Sequence, residues 1–181
     1  MRQEPRKRTK ASGPGRLGVP DELGMTNDNL ARRFGWEITA IAVHLQEIRN
    51  IWAKALGVSG PQWMILMALS ELDQGHGVAV KIVAKMLHVD SSFVTTQSKI
   101  LEKKGFLRRK TSQVDARVVQ MSLTDKTYKH IARLASQQEE INDYIFSELT
   151  NREFSDFTGK LTALKKRFEK ACLKIASTYD D

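Results

Sequence analysis

The sequence predicts a mainly α-helical fold with one small β-hairpin, and three observations carry that reading. Apolar residues recur at steps of three and four towards both ends of the chain, the period of an amphipathic helix. Residues 106–123 switch to period two around a polar tip, as a two-stranded hairpin does. Immediately before that hairpin, two helical patterns are separated by only three residues.

Residues 1–24 hold three of the four prolines and almost no apolar periodicity, so they cannot bury enough surface to offset the entropy of ordering. They are expected to form a disordered basic arm. Thr26, Asn27 and Asp28 offer N-cap side chains, and Leu30, Phe34, Ile38, Ile41, Leu45, Ile48, Trp52 and Leu56 then mark one long helix ending near Gly57. Pro61 suits the first turn of a second helix that turns Trp63, Ile65, Leu66 and Leu69 inward. The loop Asp73-Gln74-Gly75-His76-Gly77 closes it.

A short helix, Val80 to Leu87, precedes the turn His88-Val89-Asp90. Asp90 caps a helix from Ser91 to Lys104, and Gly105 is a natural left-handed terminator. Such spacing reads as a helix-turn-helix whose second helix is rich in Ser, Thr, Gln and Lys. Phe106 to Lys110 and Val118 to Leu123 are the strands of a following wing, joined through the tip Ser112 to Arg117. Thr124 caps a helix to about Leu149, and Thr150-Asn151-Arg152-Glu153 is a capping box opening the last one. That helix carries Phe154, Phe157, Leu161, Leu164, Phe168, Ala171 and Ile175 as a seam over three heptads, which wants a partner.

The organisation expected is therefore a winged helix-turn-helix domain at 59–123 plus a helical dimerisation domain drawn from both chain ends, 25–58 and 124–178. Its seams centre on Leu30, Phe34, Phe157, Leu161, Leu164 and Phe168. A two-fold dimer would present two recognition helices to successive major grooves of double-stranded DNA, as a pseudo-palindromic operator requires.

Charge points the same way. The chain carries 29 Lys and Arg against 21 Asp and Glu, a net charge of +8. The excess is local: residues 1–16 and 81–117 are strongly basic, whereas 118–181 balance ten cations with ten anions. Two basic blocks separated by near-neutral chain suggest a surface that faces a polyanion. For the arm alone, a solubilising tail and a DNA-tracking segment are both open readings. No stretch approaches the roughly 18 apolar residues of a membrane span, which excludes an integral membrane protein. One Cys precludes an internal disulfide, and no apolar segment follows the basic N-terminus, so a reduced, cytoplasmic protein is expected. Four scattered His and one Cys offer no metal-ligand spacing, and there is neither a glycine-rich phosphate loop nor a nucleophile elbow. No catalysis, metal or cofactor is expected. Cys172 lies beside the last seam and reads as a small hydrophobe rather than a redox sensor.

Three stretches carry a family resemblance: Gly57-Val58-Ser59-Gly60-Pro61-Gln62-Trp63 with Ile65-Leu66, Val89 through Leu101 leading to Glu102-Lys103-Lys104-Gly105-Phe106, and Asp115-Ala116-Arg117 leading to Leu123-Thr124. In this order and spacing the chain resembles the MarR family of bacterial winged-helix regulators over about residues 27–178. The resemblance implies a triangular dimer with interlocked first and last helices and a winged domain at each lower corner. It also implies repression of nearby genes, often relieved by a small phenolic or aromatic ligand. The sequence departs from the family at Gln97 and Ser98, where inward apolar residues are usual, and at Phe93, where a small polar one is.

On the recognition helix, Ser91, Ser92, Thr95, Thr96 and Lys99 offer hydroxyls, methyls and an ammonium suited to phosphates and base edges. In the wing, the spacing of Asp115 and Arg117 sets a carboxylate beside a guanidinium, holding its fork for a narrow minor groove; the alternative is an ordinary exposed ion pair. Arg108, Arg109 and Lys110 would add phosphate contacts at the wing base. A ligand pocket between the first two helices would use His44, Arg49, Trp63, Met64 and Met67, in the region where the family binds ligands. Alternatively, Trp63 and Met67 are core and His44 is satisfied in a dimer interface. The function expected is that of a homodimeric repressor released by a small aromatic ligand such as a carboxylate; the competing reading is an architectural or protein-interaction DNA-binding module without an effector.

Overall fold

The computed structural model describes residues 27–179, so the basic stretch 1–24 and the cap position Thr26 lie outside the described residues. Along the described chain run α1 (Asn27–Leu56), α2 (Gly60–Leu72), β1 (Val78–Ala79), α3 (Val80–Leu87), α4 (Ser91–Lys103), β2 (Leu107–Thr111), β3 (Val119–Leu123), α5 (Asp125–Phe146) and α6 (Asn151–Tyr179). The described chain divides inside α2 into two compact units, one ending at Met67 and the other beginning at Ala68.

In the first unit α1 stops because Gly57 adopts a left-handed backbone (φ 75°). Its N–H bonds the Lys54 carbonyl and that of Val58 the Ala53 carbonyl, which satisfies the end of the helix. Ser59 and Gln62 then cap α2 reciprocally, Gln62 N–H donating to Ser59 Oγ and Ser59 N–H to Gln62 Oε1. This box explains how Gln62 is buried without loss. A Cβ on Gly60 would collide with the Asn50 amide, so the approach of α1 to the start of α2 needs glycine. Trp63, Ile65 and Leu66 on α2 are buried.

The second unit is built on an antiparallel sheet of order β1-β3-β2. Pairing of Leu107 with Leu123 and Arg109 with Met121 sets the register of the hairpin. Against it pack α3 and α4, and Val83, Val94, Leu101, Leu107, Met121 and Leu123 form the buried core. The two-residue strand β1, pairing Val78 with Met121, was not expected: two residues between a glycine loop and a helix show no alternation. Its register brings Gly77 (φ 75°) close to the Met121 backbone.

Ser98 is fully buried, and its hydroxyl donates to the Thr95 carbonyl at 3.0 Å. The core beneath α4 therefore accepts a polar residue where an apolar one is usual, because its donor is satisfied inside the helix. Gln97 is half-buried beside it. The turn His88-Val89-Asp90 joins α3 to α4, and His88 takes a left-handed backbone (φ 53°) there. At the other end of α4, Gly105 (φ 77°) donates to the Glu102 carbonyl and Phe106 to that of Leu101. Phe106 is thereby consumed by the helix end, and β2 begins one residue later than the pattern suggests.

Thr124 and Thr127 join α5 to this corner. The Thr127 hydroxyl donates to the Phe106 carbonyl at 2.7 Å, and Thr127 is buried. α5 ends at Phe146, three residues earlier than expected, where the Phe146 ring meets Phe154 with centroids 4.4 Å apart. The Thr150–Glu153 box then opens α6. α6 buries none of its residues, and on α1 and α6 Leu30, Phe34, Phe157 and Phe168 are exposed while Leu161 and Leu164 are half-buried.

Hydrogen bonds from Ser92, its hydroxyl foremost and then its backbone N–H, hold the Asp90 carboxyl below its ordinary range. A depressed folded-state value means that the cap stabilises above the unfolded value and is lost as pH falls through the folded one. Acidification through the carboxylate range should therefore cost the wild type α4 amide protection that Asp90→Asn does not lose, as hydrogen exchange followed by NMR would show. Asp90→Ala should lack that protection even at neutral pH.

Candidate nucleic-acid interface

The burial of Val94, Ser98 and Leu101 fixes how α4 is rotated. At 100° per residue the opposite face carries Ser92, Thr96, Lys99 and Lys103, all exposed. Ser91 and Thr95 lie on the flank towards the wing, Phe93 and Ile100 on the other. The Thr96 hydroxyl donates to the Ser92 carbonyl at 3.0 Å, which leaves its methyl and oxygen lone pairs outward. This face can donate hydrogen bonds through serine and lysine and meet apolar groups through threonine. Lys103 stands near its centre and was not singled out from sequence, where it looks like an ordinary last-turn lysine.

Strand alternation separates the three cations at the wing base. Arg108 and Lys110 are exposed, whereas Arg109 shares the inward side with Leu107 and its side chain is only 13% exposed. The Arg109 N–H donates to Glu102 Oε1 at 3.0 Å, and its guanidinium lies 3.9 Å from Glu102 Oε2. Its Nε is buried without a hydrogen-bond partner.

At the wing tip, Ser112 Oγ accepts from the Val114 N–H at 3.2 Å. Asp115 Oδ1 accepts from the Arg117 backbone N–H at 2.9 Å. The expected Asp115–Arg117 ion pair is thus corrected: among the described residues none joins them, and the carboxylate shapes the turn instead. Arg117 remains exposed at the point where the tip returns into β3.

Between α3, α4 and the wing lies a cleft of about 510 Å³. Ile82, Val118 and Val119 supply apolar wall, Ser91 and Thr95 hydroxyls, and Lys81, Arg109 and Arg117 positive charge. Lys81 belongs to the basic block visible in the sequence, but nothing in its local pattern sets it at this cleft.

The five residues expected at a ligand pocket all fall in the first unit. Trp63 is buried, Arg49, Met64 and Met67 are half-buried, and His44 is exposed with Nδ1 3.0 Å from Glu47 Oε2. They do not share one open surface. Cys172 is exposed on α6. Among the described residues no cluster of His, Cys, Asp and Glu is placed to hold a metal ion, and no helix is long and apolar enough to cross a membrane.

Two helices meeting at a tight turn, the second one polar and followed at once by a basic hairpin, define a winged helix-turn-helix. Residues 58–119 match the model of the MarR family. Transcriptional repressor MprA of Escherichia coli strain K12 is 26% identical over 120 residues, which cover 64% of this chain and 68% of MprA. A MarR protein from Peptoclostridium difficile superposes with a TM-score of 0.66 at 22% identity, covering 87% of this chain and 99% of that one. Streptococcus pneumoniae FabT, solved in complex with DNA, gives 0.60 at 24% identity over 78% and 99%.

Arg117→Ala should weaken duplex binding by roughly tenfold to a hundredfold, as the loss of one or two charge-assisted contacts does. Fluorescence anisotropy at moderate salt measures this, and an unchanged affinity would remove Arg117 from the interface.

Proposed function

We propose that this chain is a homodimeric, cytoplasmic, sequence-specific DNA-binding regulator that represses transcription at a pseudo-palindromic operator. The observation that carries the reading is the outward face of α4, with Ser92, Thr96, Lys99 and Lys103, continuous in sequence with a wing that exposes Arg108, Lys110 and Arg117. Hydroxyls and lysines on a helix supply base and phosphate contacts, and an arginine at a wing tip fits a narrow minor groove. The names of MprA, a repressor, and of FabT in complex with DNA favour the same assignment. Selection of binding sites from random duplex, followed by footprinting, tests it. Two protected half-sites about one helical turn apart are expected, and protection without sequence preference would instead support an architectural module.

The dimer reading rests on the exposed apolar residues of α1 and α6, including Leu30, Phe34, Phe157 and Phe168. Exposed apolar side chains at helical spacing are costly to leave in water and suit a helical partner. A small aromatic carboxylate is the proposed effector. The residues first considered, His44, Arg49, Trp63, Met64 and Met67, include a buried tryptophan, so they offer less open surface than the cleft beside α4. That cleft combines apolar wall with the positive charge of Lys81, Arg109 and Arg117, the combination a carboxylate on a ring would use.

Leu164→Asp should abolish dimerisation and operator binding together, because a carboxylate in the seam is either buried unpaired, at a cost of several kcal/mol, or forces the helices apart. Sedimentation velocity reads the result, and a dimeric variant that binds its operator normally would place the seam in solvent. In a thermal-shift screen of aromatic acids, a ligand that binds the native state should raise the melting temperature. The shift should shrink in Arg109→Ala if the cleft is the site and in His44→Ala if the first two helices are.

A further inference from the structure

Glu102 is a costly residue where it stands. It occupies the last turn of α4, where the helix dipole disfavours an anion, and it neighbours the lysines of the face proposed to meet DNA phosphates. A residue that breaks a local rule twice points to a compensating task. That task is visible in its two oxygens: Oε1 accepts the Arg109 backbone N–H at 3.0 Å, and Oε2 lies 3.9 Å from the Arg109 guanidinium. β2 is an edge strand, paired only with β3, so an N–H on its open side has no ladder partner. The carboxylate supplies the missing acceptor and ties the end of α4 to the third residue of β2.

We infer that Glu102 is a positioning residue for DNA binding, fixing the wing, and with it Arg117, relative to the recognition helix through Arg109. The inference rests on the DNA-binding reading above. Gly105 and Phe106 complete the helix end, and four residues beyond Gly105 the Glu102 carboxylate gives β2 a second, polar anchor on α4. Arg109 is suited to the link because its side chain runs inward along the cleft that Thr95 and Arg117 also line. Restricting the wing before binding spares its entropy at the interface, so the gain appears in affinity although Glu102 itself carries the wrong sign for DNA.

The test combines Glu102→Ala and Glu102→Gln with Arg117→Ala in a double-mutant cycle on a selected operator duplex, alongside NMR hydrogen exchange of the free protein. Glu102→Ala should lose about tenfold in affinity when Arg117 is present and little when it is absent, a coupling of the size found between groups acting as one. Glu102→Gln keeps the acceptor and removes a negative charge, so it should retain wild-type affinity or better. In the free protein the Arg109 amide should lose protection in Glu102→Ala and keep it in Glu102→Gln, with the middle of α4 unchanged. Wild-type or higher affinity in Glu102→Ala would overturn the inference and leave Glu102 as a simple repulsive charge. An equal loss with and without Arg117, or unchanged Arg109 protection, would overturn it as well. Full affinity in Arg117→Ala alone would refute the wing's DNA contact instead, and the exchange measurement would still decide whether Glu102 anchors the strand.

Discussion

Gly105 turns the chain out of α4 within one residue, and the geometry of the winged unit depends on what is fastened at that corner. Its left-handed backbone lets Gly105 and Phe106 donate to the carbonyls of Glu102 and Leu101, so the helix ends with its groups satisfied. The Phe106 carbonyl then accepts from the Thr127 hydroxyl, which docks the start of α5, and the Phe106 N–H has already been used. Three elements, α4, β2 and α5, thus share one backbone segment of a few residues. Any swing of the hairpin about this segment would move Arg117 and the face of α4 out of register with each other.

Polar groups inside the unit follow the same economy. Ser98 and Thr127 are buried, and each is hydrogen-bonded to a backbone carbonyl of its own helix turn or of a neighbouring element. Arg109 is the exception, with a buried Nε that no acceptor reaches. An unpaired donor on a charged group is expensive to keep in a core. Arg109 lines the cleft between α4 and the wing, but this nitrogen is itself buried.

Much of this was legible in the sequence, because the features that specify it are local. Asp90 and Thr124 cap the helices expected of them, Gly57 and Gly105 end theirs, and the strands read at 106–110 and 118–123 pair at 107–111 and 119–123. What escaped was set by tertiary partners. β1 exists because Met121 offers a free edge to Val78. Arg109 looks identical to Arg108 and Lys110 in a basic run, and only its pairing register turns it inward towards Glu102. Asp115 was read by its charge, whereas its nearest donor is a backbone N–H. Trp63 and His44 are both pocket candidates by residue type, yet Trp63 is buried in the core and His44 is exposed.

The placement of charge and of apolar surface is the last constraint. Positive side chains concentrate where α4 and the wing lie, while the described chain from residue 124 onward is close to balanced. The long helices α1 and α6 instead expose rows of leucine and phenylalanine. A polyanion is attracted by the first surface and indifferent to the second, and a helical partner is held by the second and repelled by a dense field of the first. Keeping the two on separate stretches of chain would let the proposed dimer bind DNA without either contact weakening the other. It also explains why Glu102 can be kept near the basic surface: the cations around it hold the attraction, so a single anion can be spent on geometry.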